Sequence, residues 1–219
     1  MYFIDRTEAG QRLAAILQDK AGHNCTLVAL SDGAVVIAAQ IAAILECPIT
    51  MLMAAPINAP GEPDAVASIN QEGTYSFNSS YSQGQQDEFD MEYHHVFEQQ
   101  KMDRLSEMHR MLGKNELIRK DMLNGHTVIL VADGIGSVST IDSAALFLKS
   151  IKVRRLVIAT PFAAVHVVDR MHILADEIAC LNVVENYMGT DHYYENNSLP
   201  AHDKIIQTVQ HMVQNWHQD

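Results

Sequence analysis

The stretch Val128-Ile129-Leu130-Val131-Ala132-Asp133-Gly134-Ile135-Gly136-Ser137-Val138-Ser139-Thr140 decides the fold class. An unbroken apolar run passes into a loop of small residues, and hydroxyl side chains that can start a helix follow it. A strand without polar alternation is buried on both faces, as in a parallel sheet covered by helices. A small-residue loop between such a strand and a helix exposes backbone amides, and the helix dipole behind it favours an anion.

The same alternation extends in both directions. Thr7 to Ala21 predicts an amphipathic helix capped by Thr7 and ended by Gly22, and Thr26 to Leu30 a short buried strand. Ser31-Asp32-Gly33 predicts a turn, Ala34 to Leu45 a small-residue helix, and Ile49 to Met53 the next strand. Downstream, Thr140–Ser150 and Ala164–Leu174 predict helices, Leu156–Thr160 and Glu177–Leu181 strands, and His202–Trp216 a terminal helix. The chain therefore reads as one α/β domain over residues 1–219, with a mainly parallel sheet flanked by helices. Ligands of such sheets bind at the carboxyl ends of the strands, where three loops converge: Ser31–Gly33, Ala54–Gly61 and Ala132–Ser139.

Residues 56–113 interrupt this pattern and read as an insertion. Pro56, Pro60 and Pro63 open it. Ala65–Ile69 and Thr74–Phe77 predict a hairpin over Gln71-Glu72-Gly73, Asn78–Gln86 a mobile solvated loop, and Glu88–Met111 a helix ending near Gly113.

Composition narrows the class. The 219 residues are 47% hydrophobic, enough for one sizeable core, and carry a formal net charge of −12. No basic stripe exists to displace counterions, which argues against nucleic acid or an anionic membrane as partner. No apolar run is long enough to span a bilayer, and the N-terminus lacks the basic and apolar regions of a signal peptide. Cys25, Cys47 and Cys180 are odd in number and lie in or beside apolar segments, so they read as buried free thiols of a cytoplasmic protein.

The loop after Val131 admits two readings on its own chemistry. In one, Gly134 and Gly136 free the backbone, Ser137, Ser139 and Thr140 supply hydroxyls, Thr140 caps the helix, and Asp133 can hold ribose hydroxyls beside a bound phosphate. In the other, it is a plain strand-to-helix turn with Ser/Thr capping.

The frame Val-Ala-Asp-Gly-Ile-Gly-Ser-Val-Ser-Thr resembles the signature of the type I phosphoribosyltransferases, where two acids precede a T-G-x-T loop. The wider chain resembles one branch of that superfamily. Its opening matches Phe3-Ile4-Asp5-Arg6-Thr7-Glu8-Ala9-Gly10-Gln11-Arg12-Leu13-Ala14, followed by Ala159-Thr160-Pro161, Ala175-Asp176-Glu177-Ile178-Ala179-Cys180-Leu181 and Tyr193-Tyr194. The resemblance implies transfer of a phosphoribosyl group from phosphoribosyl pyrophosphate (PRPP) with Mg²⁺. It places Asp133 at the ribose hydroxyls and Gly136, Ser137, Val138, Ser139 and Thr140 around the 5′-phosphate. Ser31, Asp32 and Gly33 stand at the pyrophosphate loop.

The departures fall where that chemistry is done. Ala132 stands at the first acid and Val138 at the loop glycine. Ser31-Asp32-Gly33-Ala34 stands where Arg-Gly-Gly is usual, and Ala54-Ala55-Pro56 lacks the branch's Arg-Lys pair. Each loss removes an amide, an acid or a cation from a site for a polyanion, and one such contact is worth roughly 10²–10³ in rate. The leading expectation is a phosphoribosyltransferase-like protein with a degenerate PRPP site, weak or inactive in transfer and binding a phosphate or nucleotide. The alternatives are an active transferase with an unknown acceptor, and an interaction protein with no ligand that dimerises through the Met-rich helix. No metal site is read from the remaining residues: His94-His95 near Asp90 and Glu98 read as a solvated acidic face, and His166, Asp169, Arg170 and His172 as a surface group. Tyr187–Tyr194 read as an aromatic plug, with Asp191 and His192 as candidates for proton transfer if the segment reaches the site.

Overall fold

The computed structural model describes residues 3–18, 24–112 and 117–214. The expected helix ends at Gly22, Gly113 and Trp216 lie outside the described residues.

Five parallel strands form the main sheet: β1 (Cys25–Ala29), β2 (Ile49–Met51), β6 (Thr127–Val131), β7 (Arg155–Ala164) and β8 (Glu177–Val184), in the order β2-β1-β6-β7-β8. The apolar run of the opening stretch is the central strand β6, buried along its whole length. Its side chains alternate between two cores. Ile129 and Val131 face a core shared with α1 (Arg6–Leu17), α2 (Asp32–Leu45) and α6 (His202–Gln214). Val128 and Leu130 face a second core shared with α4 (Val138–Leu148) and α5 (Val165–Leu174). Two apolar faces covered by helices explain why no polar alternation is seen in this strand.

From β1 the chain runs through α2 to β2 at one edge; from β6 it runs through α4 to β7 in the opposite direction. The strand order therefore reverses between β1 and β6. The loops that leave these two strands diverge there, opening a crevice at their carboxyl ends.

Residues 54–112 build a small second layer over that crevice. β3 (Ala54–Ile57), β4 (Ala67–Asn70) and β5 (Tyr75–Phe77) form an antiparallel sheet backed by α3 (Gln83–Leu112). Phe97 and Met108 of α3 pack with Ile57, Val66 and Ile69 in a third core. Asp142 ties this hood to the main body: it accepts the Ser79 backbone N–H at 3.1 Å and the Arg170 Nε–H at 2.6 Å.

Several expectations change. Ala54–Ile57, read as part of a loop, is a strand; it occupies a sheet edge, where Pro56 needs no ladder donor. The predicted loop Asn78–Gln86 contains the start of α3, held by the reciprocal pair Ser82 and Gln85: each backbone N–H donates to the other's side chain. Asp5, not Thr7, caps α1, and Ser137, not Thr140, caps α4. Cys25 and Cys47 are joined as a disulfide, with Cα atoms 5.5 Å apart, because Cys25 opens β1 and Cys47 lies just before β2, which pairs beside it; Cys180 is free. No helix among the described residues is long and apolar enough to cross a membrane.

Candidate functional site

Two loops frame the crevice. In the first, Ser31 ends the turn after β1 and caps α2: its Oγ accepts the Ala34 N–H at 3.0 Å. The same hydroxyl donates to Asp133 Oδ1 at 2.7 Å. In the second, Ser137 caps α4 by accepting the Ser139 N–H, and the Ser137 and Ser139 hydroxyls lie 2.9 Å apart.

Asp133, at the start of the second loop, reaches across to the first and is 9% exposed. Its second oxygen accepts from Arg6 Nε at 2.8 Å, so both carboxylate oxygens are engaged. Arg6 is 4% exposed and uses its whole fork: Nη2 donates to Asp191 at 2.7 Å and Nη1 to Asn197 at 3.2 Å. The guanidinium also lies over the Tyr194 ring at 4.5 Å, and the Tyr194 hydroxyl donates to the Asp133 backbone carbonyl. Burial alone would lower the Arg6 pKa; the bonds to Asp191 and Asp133 outweigh it and hold the cation above its ordinary value. A buried guanidinium needs such satisfaction, and a planar fork between two carboxylates supplies it. The pair also explains Gly33. A Cβ there would run into Asp133 Oδ2 and Arg6 Nε.

A cavity of ≈ 390 Å³ lies between the crevice and the hood. Its floor is apolar (Leu30, Leu52, Ala144), its rim carries the hydroxyls of Ser68, Ser137, Ser139 and Thr140, and its two carboxylates are Asp133 and Asp64. No Lys, Arg or His lines it among the described residues. A shallower hollow of ≈ 710 Å³ adjoins it through Asp64, Gly134, Ser137 and Thr140, and brings in His166, Glu185 and Tyr187. Tyr187 closes over the second loop, where a Cβ on Gly136 would meet its ring and one on Gly134 its hydroxyl and the Phe162 ring. Burial pushes the Tyr187 phenol up to about 12, against a hydrogen bond with Thr190.

The sequence-derived candidates divide. Asp133, Ser31, Ser137, Ser139 and Thr140 come together at the first cavity, and Gly136 lines its neighbour. Val138 and Ala132 turn into the second core. Asp32 leaves the crevice and pairs with His202 Nδ1 at 2.7 Å, and Gly33 accommodates the Arg6–Asp133 pair. Of the proton-transfer candidates, Asp191 is bound to Arg6 and exposed His192 packs edge-on against Tyr193, away from the cavity. Tyr187, Tyr193 and Tyr194 pack around Phe162 as an aromatic plug. Arg6 was not among the candidates, since a charged residue at a helix start reads as surface; its position in the quoted opening motif was the only available signal. Asp64, Ser68 and Thr190 reach the cavity through chain excursions that no local pattern marks.

The residues present do not fit a bound Mg²⁺. That ion takes oxygen ligands in near-octahedral geometry, usually from one or two carboxylates plus substrate phosphates. Asp133 is spent on Arg6 and Ser31, and its neighbour is Ala132. No group of three metal-ligating side chains occurs among the described residues; the pair singled out from the sequence, His94 and Asp90 at 3.7 Å, is on exposed α3.

A crevice where the order of a parallel sheet reverses, with a helix-capping hydroxyl loop and an acid, is the architecture of a phosphoribosyltransferase-like α/β protein. The chain belongs to the phosphoribosyl transferase domain family, whose model matches residues 5–200. It is 25% identical over 206 residues to a provisionally named phosphoribosyl transferase of Mycobacterium tuberculosis, covering 93% of this chain. The chain spans 45% of that relative's length. Among solved structures it is similar to TT1426 from Thermus thermophilus, with a TM-score of 0.64, 22% identity, and coverage of 96% of this chain and 98% of the other. That likeness shares the fold.

Proposed function

We propose that this chain keeps the ligand cavity of the phosphoribosyltransferases and has lost the charge machinery for transfer. It binds a phosphate or nucleotide and transfers phosphoribosyl groups from PRPP weakly or not at all. The observation that carries this reading is the state of Asp133. Each of its oxygens already accepts one hydrogen bond, from Arg6 and from Ser31, so the carboxylate is held by the protein and meets a ribose hydroxyl only through the acceptor sites left over. Among the described residues the cavity adds no cation to offset a pyrophosphate, and Asp32 is turned to His202. What persists is the α4 N-terminus with Ser137, Ser139 and Thr140, suited to one phosphate group through amides and hydroxyls.

Calorimetric titration with PRPP and Mg²⁺, paired with a pyrophosphate-release assay, tests the reading. Weak PRPP binding and no release above background are expected. Micromolar PRPP binding with steady pyrophosphate release would overturn it.

A further inference from the structure

We infer that Arg6 has taken the place of the divalent cation at this site, so that the cavity holds its phosphate-bearing ligand without Mg²⁺. The ligand class rests on the function proposed above; the metal independence rests on geometry of its own.

All three guanidinium nitrogens are engaged, two of them by carboxylates: Asp133 at 2.8 Å and Asp191 at 2.7 Å. A metal held by both oxygens of Asp133 would have to displace a buried cation and the Ser31 hydroxyl, and one held by a single oxygen would sit against the guanidinium's positive charge. Displacement would leave the guanidinium buried without one of its partners, which is the costly way to break such a pair. Asp133 and Arg6 pack against the Gly33 α-carbon, which closes that side of the pair and leaves the cavity as the open side of the carboxylate. Asp64, on the hood side, is the one other carboxylate of the cavity among the described residues. The cation that partners Asp133 is thus a covalently attached side chain; shared between two carboxylates and outside the cavity lining, it adds no net positive charge there. It neutralises the acid instead of bridging it to a ligand. Arg6 is a positioning residue in this scheme, acting through Asp133.

Mn²⁺, the paramagnetic stand-in for Mg²⁺, reads this directly. Electron paramagnetic resonance of the wild-type protein titrated with Mn²⁺ is expected to show no bound ion. A stoichiometric site that Asp133→Asn removes would overturn the inference. Arg6→Met releases the acid. The variant is expected to gain a Mn²⁺ site that vanishes in Arg6→Met/Asp133→Asn, and a folded Arg6→Met protein with no gain would overturn the assignment to Arg6. The wild-type titration decides the question even where that variant fails to fold. In a second arm, ribose 5-phosphate is titrated in chelator and in excess Mg²⁺. Affinities within about twofold are expected, and a gain of about tenfold with Mg²⁺ would overturn the inference. Failure of every phosphate compound to bind would remove the function proposed above while the Mn²⁺ result stood by itself.

Discussion

The loop after β1 and the loop after β6 leave neighbouring strands, and each hands its chain to a helix through a capping serine, Ser31 in one and Ser137 in the other. They differ in what fills them. Around Ser31, the space is taken by Asp133, Arg6 and the Asp32–His202 pair. Around Ser137, the hydroxyls face a cavity, and the Tyr187 and Phe162 rings pack against the glycines. A loop can keep its backbone role, starting a helix at a sheet reversal, after its ligand-facing role has been absorbed into the protein's own packing. The difference between the two lies in long-range partners, not in local sequence.

The sharpest way to break the contrast is to force a side chain into each loop. Gly33→Ala drives a methyl group into the Asp133–Arg6 pair and separates two buried charges, for an expected loss of about 3–5 kcal/mol. Gly136→Ala meets only the edge of the half-buried Tyr187 ring, which can turn aside, for about 1–3 kcal/mol. Urea denaturation of both variants measures the gap. Equal losses would mean that the first loop is no more filled than the second.

Removing the two capping serines gives a smaller difference. Ser31→Ala loses a helix cap and a hydrogen bond to a charged acid, about 2–3 kcal/mol together; Ser137→Ala loses the cap, about 1 kcal/mol. The order should reverse for ligand. Ser137→Ala is expected to weaken binding of inorganic phosphate and Ser31→Ala to leave it nearly unchanged, measured by the same calorimetric titration.

Local pattern carried the sheet. The apolar run Val128–Val131, the small-residue α2 and the strand–helix alternation specify a parallel sheet, because each requirement is met within a few neighbouring residues. It also marked the Ser137–Thr140 hydroxyls, since helix capping is a local signal. The clasp on Asp133 was not legible. Arg6 and Asp133 are 127 positions apart, and a fork between two carboxylates exists only after the chain ends meet. The β3 strand was hidden for a related reason: Ala54-Ala55-Pro56-Ile57 has weak intrinsic strand preference and is held by pairing with β4. The Ser82–Gln85 box, by contrast, was present in the sequence and was masked by the polar tract around it.

The smallest effect concerns the tyrosines over the two loops. Tyr187 covers the open loop, and burial raises its phenol to about 12 from an ordinary value near 10. Tyr194, whose ring lies against the Arg6 guanidinium beside Asp133, is shifted in the same direction by burial and by nearby Asp133. A folded-state pKa raised above the unfolded one means that the unfolded chain loses its proton first. The stability these phenols contribute is therefore complete below about pH 10 and drains away as pH climbs through about 12 for Tyr187. The melting temperature should fall over that window, and Tyr187→Phe should make the fall shallower while leaving the neutral-pH value little changed, since the ring contact with Gly136 survives. Tyr194→Phe should act differently. Its hydroxyl donates to the Asp133 carbonyl, so the variant loses stability at neutral pH as well. If the two variants gave the same profile, the two loops would be covered alike, and the distinction between a filled loop and an open one would not extend to their aromatic lids.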